Sequence, residues 1–140
     1  MVEVDFRILQ KMSFLLLLTF ILSFFHRVKH EIFYFLQIIV GILFLTSTLF
    51  WNNPVRNSLI HRLDASIVRI TITLCILYTL IYNIPESSFL YIYFIILGLF
   101  ILSFLGSNYY SRIEWCCENH ILYHSFLHYY GWIIGLFAIA

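Results

Sequence analysis

Of 140 residues, 62% are hydrophobic and 11% charged, under half the charge fraction of about 25% found in soluble domains, and the mean hydropathy is +0.93. A soluble fold of this length buries only about two-thirds of its chain surface, so the composition excludes a water-soluble domain and demands a bilayer. The formal charge of +1 offers no basic field and excludes nucleic-acid binding.

Stretches of about 20 apolar residues are needed to cross a bilayer core of roughly 30 Å, and five can be read in chain order. The first covers 6–25, with Arg7 and Lys11 placed to snorkel at its start, and ends at His26-Arg27-Val28-Lys29-His30-Glu31. The second, 32–51, contains no charge and stops at Asn52-Asn53-Pro54, two turn formers before a helix breaker. The third, 65–83, follows His61-Arg62-Leu63-Asp64, with Asp64 as a helix cap or just inside the start, and closes at Ile84-Pro85. The fourth, 88–105, is expected to stop at Gly106-Ser107-Asn108. The fifth occupies 120–140. The expected fold is therefore all-α, a single polytopic transmembrane helical bundle over 1–140. Cys116 and Cys117 are neighbours, too close for a disulfide framework. Trp51, Tyr109, Tyr110 and Trp115 fall at span ends, as an aromatic belt requires.

Five alternating spans sort Arg7, Lys11, Arg56, Arg62, Arg69 and Arg112 to one face and Arg27 and Lys29 to the other. The positive-inside rule then places the N-terminus on the cytoplasmic side, or the matrix side of an organellar inner membrane. The same alternation brings the end of the second span and the starts of the third and fifth to one face. That face collects Ser47, Trp51, His61, Asp64, His120, His124 and His128. At four-residue spacing the last three histidines form nearly one stripe, each about 6 Å further along the helix. Polar groups at membrane depth are costly unless they pair, bind a metal or line a cavity, so this cluster is the expected functional site. Imidazoles are common zinc ligands, and Asp64 is placed to orient a ligand or accept a proton from metal-bound water. The alternatives for the His pair are hydrogen bonding to neighbouring helices or a place near the headgroups; for His61 it is an interfacial loop position.

These residues resemble the membrane hydrolase superfamily of alkaline ceramidases, progestin and adipoQ receptors and haemolysin III proteins. Ser47-Thr48-Leu49-Phe50-Trp51 is similar to its Ser-x-x-x-His element, His61-Arg62-Leu63-Asp64 to its third-span Asp element, and His124-Ser125-Phe126-Leu127-His128 to its His-x-x-x-His pair. The resemblance implies a zinc ion held by three histidines, with Ser and Asp beside it, cleaving an amide or ester bond in a lipid. Two departures stand out. Trp51 replaces the first His ligand, leaving His61 or His120 as substitutes for it, and five spans replace the seven of the family.

Two readings follow. One is a zinc-dependent lipid hydrolase with His124 and His128 as ligands and Ser47 and Asp64 supporting the water. The other is a non-catalytic accessory or assembly subunit of a membrane complex, metal-free, with other membrane protein subunits and the lipid bilayer as its partners. Trp51 in the ligand position and the minimal loops favour the second.

Overall fold

The computed structural model describes residues 5–26 and 30–139, so the expected far-face cations Arg27 and Lys29 lie outside the described residues. Five helices carry the described chain: α1 (Arg7–Ser23), α2 (Glu31–Asn52), α3 (Leu59–Tyr82), α4 (Ser87–Ile113) and α5 (Glu118–Ile139). Among the described residues there is no strand. Three of the helices, α2, α3 and α4, are long and apolar enough to cross a membrane.

The helix boundaries follow local chemistry. α2 ends at Asn52, just before Pro54, whose missing N–H and ring cannot continue a helix. α3 begins six residues before the expected start because Ser58 caps it, its hydroxyl accepting from the His61 N–H at 3.2 Å. Asp64 is consequently not a cap; it sits inside the helix, in its second turn. α4 runs through Gly106 to Ile113, past the expected stop. No described glycine has a positive φ, so Gly106 is an ordinary helical residue. Its role is to let Tyr123 of α5 lie against the α4 backbone: an added Cβ would collide with the Tyr123 ring.

The helices α1, α2, α3 and α5 form a closed ring, with α2 packed between α1 and α3 and α5 packed between α3 and α1. The remaining helix, α4, brings its backbone close to α5 alone. From α4, buried Tyr93 reaches into the main apolar core with Phe33, Leu36 and Val40 of α2, Cys75 of α3 and Ile134 of α5. The glycines at dimer-type spacing serve two different helices. Gly131 faces Phe100 of α4, and Gly135 faces Thr19 of α1.

A second cluster, of Leu9, Phe50, Trp51 and Ile121 with Trp115 packed on it, closes one end of the bundle. The start of α1, the end of α2 and the start of α5 therefore meet there, as alternating helices require. At the opposite end the His26 ring stacks on Phe33 at 4.5 Å, and its Nδ1 lies 2.7 Å from the Ile139 carbonyl. The outward face of α4 carries Phe94, Ile95, Leu102 and Leu105, all more than half exposed. Burying such a surface in hydrocarbon is favourable at about 25 cal/mol per Å².

Candidate functional site

The expected cluster lies at the Trp51 end of the bundle, but its members are divided among several helix contacts. On α2, consecutive side chains are rotated by about 100°, so Thr46 and Ser47 face different neighbours. The Ser47 hydroxyl, 2% exposed, accepts from Ser13 of α1 at 3.2 Å. The Thr46 hydroxyl donates to Asp64 Oδ1 of α3 at 3.1 Å. The two residues expected to flank one water thus diverge, Ser47 toward α1 and Asp64 toward Thr46.

His61 and His120 occupy equivalent positions in two copies of one capping device. Before α3, Asn57 adopts φ 62°, the Ser58 hydroxyl accepts from the His61 N–H, and His61 Nδ1 accepts from the Asn57 N–H at 3.0 Å. Before α5, Cys116 adopts φ 60°, the Cys117 sulfur accepts from the His120 N–H at 3.4 Å, and His120 Nδ1 accepts from the Cys116 N–H at 3.1 Å. Each is a variant of the capping box in which His takes the place of the usual Glu or Gln and reaches the N–H one residue before the cap. A neutral imidazole that accepts at Nδ1 carries its proton on Nε2, so neither ring offers a free lone pair to a metal in this arrangement.

Between these two caps lies Trp115. Its ring is 5.2 Å from His61 and 4.9 Å from His120, and its indole N–H donates to the Pro54 carbonyl at 3.0 Å. Arg56 lies over the same ring, 5.6 Å from its centre. The loop holding Cys116 is thereby fixed. Burial, with the Cys117 thiol beside it, pushes the Cys116 thiol up to about 11.

His124 and His128 are one turn apart on α5, with ring centres separated by 5.3 Å. His124 Nδ1 is 2.9 Å from the Ser107 hydroxyl of α4. Trp51 packs edge-on to His124, at 4.8 Å between ring centres, and is 1% exposed with no hydrogen-bond partner for its indole nitrogen. Among the described residues, no group of three or more His, Cys, Asp or Glu side chains is arranged to hold a metal ion. The donors present do not fit a three-ligand zinc: Trp51 fills the space beside His124, the substitute ligands cap helices, and Asp64 is bonded to Thr46.

The structure therefore gathers Trp51, His61, His120, His124 and His128 into one ring-to-ring chain and leaves Ser47 and Asp64 outside it. Ser13, Thr46 and Ser107 were not singled out as partners by the sequence reading. Their signal was available in the cost of an unpaired hydroxyl within an apolar helix. No protein-family model matches the chain, and neither a curated protein nor a solved structure matches it.

Proposed function

We propose that this chain is an integral membrane helical bundle of five spans, its N-terminus on the cytoplasmic or matrix side, that serves as a non-catalytic accessory or assembly subunit of a membrane complex. The observation that supports this reading is how the polar side chains of the Trp51 end are used. Ser47, Asp64 and His124 each bond to a neighbouring helix, and His61 and His120 close helix starts. Such bonds fix helix positions, each contributing about 0.6 kcal/mol in a bilayer. The placement of Arg7, Lys11, Arg56, Arg62 and Arg112 at the same end of the bundle supports the orientation.

A second reading, the zinc-dependent lipid amide or ester hydrolase, draws on the His124 and His128 rings standing one turn apart. Metal content of the detergent-purified protein decides between them, measured beside a variant carrying His124→Ala and His128→Ala and beside Trp51→His. The subunit reading expects metal-free parent protein under chelator-free purification, with zinc uptake only in Trp51→His, where a third imidazole replaces the indole next to His124. About one zinc per parent chain, lost in the double variant, overturns it and establishes the hydrolase-like site.

A further inference from the structure

The outermost line of α3 is polar. Arg62, Ser66, Arg69 and Thr73 are all exposed, and their spacings of four, three and four residues keep them within about 60° of one another on a helix. The buried residues Asp64, Thr71, Cys75 and Tyr78 lie on the other side of the same helix, about half a turn away. This stripe is therefore not a misplaced core. It points away from α2 and α5, the helices against which α3 packs.

In the proposed bundle the stripe runs from the start of α3 into its span. Arg69 is about 10 Å further along the axis than Arg62, and Thr73 about 6 Å beyond that. Within a helix apolar enough to span a bilayer, a lipid-facing Arg at depth is costly unless it finds a partner. Among the described residues no carboxylate pairs with Arg62 or Arg69. The hydroxyl of Thr73 turns back to the Arg69 carbonyl at 2.8 Å. Elsewhere the chain meets lipid differently: the exposed line of α4 is Phe, Ile and Leu.

We infer that this stripe is the docking face for a membrane-spanning helix of another protein, one that presents a carboxylate at the depth of Arg69. Charge complementarity selects the occupant. Among its described residues a second copy of this chain offers no suitable acid: Asp64 is turned inward to Thr46, and the other described carboxylates, Asp5, Glu31, Glu86, Glu114 and Glu118, lie at helix ends or in links. The inference rests on the subunit reading and names the chemistry of its partner.

The test places the labelled full-length protein in phosphatidylcholine vesicles with a labelled synthetic Leu-rich spanning peptide bearing one Glu about seven residues from its end, and reads energy transfer. The matched peptide carries Gln. The parent and Arg69→Lys are expected to bind the Glu peptide on the order of tenfold more tightly than the Gln peptide, a preference that Arg69→Leu loses. Equal binding of the two peptides, or undiminished binding by Arg69→Leu, overturns the inference. So does Arg69-dependent enrichment of spin-labelled phosphatidylglycerol without peptide selectivity, which makes lipid headgroups the occupant. Native electrophoresis from source membranes separates the two failures. A larger assembly that Arg69→Leu leaves intact overturns the docking face and supports the subunit reading, whereas a parent chain running alone overturns both.

Discussion

Replacing Gly106 by Ala tests the packing of the helix that depends most on a single neighbour. An added Cβ would collide with Tyr123 Cδ1 and stand 2.6 Å from Cε1 and 2.8 Å from Cγ, distances at which something must shift. The Tyr123 ring cannot withdraw freely, because it stacks on Tyr110 of α4 at 5.4 Å with its plane tilted by 20°. Forcing one methyl into a packed contact costs about 1–3 kcal/mol. A value near 2 kcal/mol corresponds to about a 30-fold shift toward a state in which α4 has left α5. Reversible unfolding in mixed detergent micelles measures the loss, and protease cleavage in the link between α3 and α4 reports the separation. Gly98→Ala is the control, since nothing lies within 4 Å of an added Cβ there. Combining Gly106→Ala with Tyr123→Ala should give a smaller loss than the sum of the two single changes, because the added methyl then meets no ring. A Gly106→Ala protein that unfolds with the parent and resists protease equally would refute the close-approach account.

Asp64→Asn retains an acceptor for Thr46 and is expected to unfold like the parent, whereas Asp64→Ala removes that acceptor and costs about 0.6 kcal/mol in the same micellar titration. The loss is limited because the Thr46 hydroxyl keeps the Leu43 carbonyl, 3.2 Å away, as an alternative acceptor. The Cys116 thiol, pushed from 9.0 up to about 11, stays protonated at neutral pH. Its iodoacetamide alkylation, followed in a background of Cys75→Ser and Cys117→Ser, should rise with pH until about 11. Because the folded chain holds this proton more tightly than the unfolded one, the group's contribution to stability is full below pH 9 and is lost as pH rises from 9 to about 11. Cys116→Ser should flatten that decline.

The helices themselves were legible because their signals are local. Pro54 after two asparagines ends α2, an uncharged apolar run marks its body, and alternation alone brings Trp51 next to the start of α5. The interior of the site was less legible, since the same residue types serve different ends. Asn57-Ser58-Leu59-Ile60-His61 and Cys116-Cys117-Glu118-Asn119-His120 share a cap followed three residues later by His, yet His in place of Glu reads as a ligand before it reads as a cap. Gly106 reads as a stop because glycine favours helix ends, and only the ring of Tyr123, 17 positions away, reveals a different need. Ser47 and Asp64 share one end of the bundle, but which neighbour each meets depends on helix rotation, which a short motif does not record.

The closed ring also sets an order on biosynthesis. Helix α5 packs against both α1 and α3, yet it is translated after the other four described helices. Until it arrives, α1 and α3 can pack only on α2, and the groove between them stays open. Thr19 of α1, which faces Gly135, and Cys75 of α3, which shares the core with Ile134, line that groove. Helix α4 lacks its backbone partner for the same interval, so the two pack together as a hairpin whose arms differ in destination. One arm seals the ring, and the other remains on its rim.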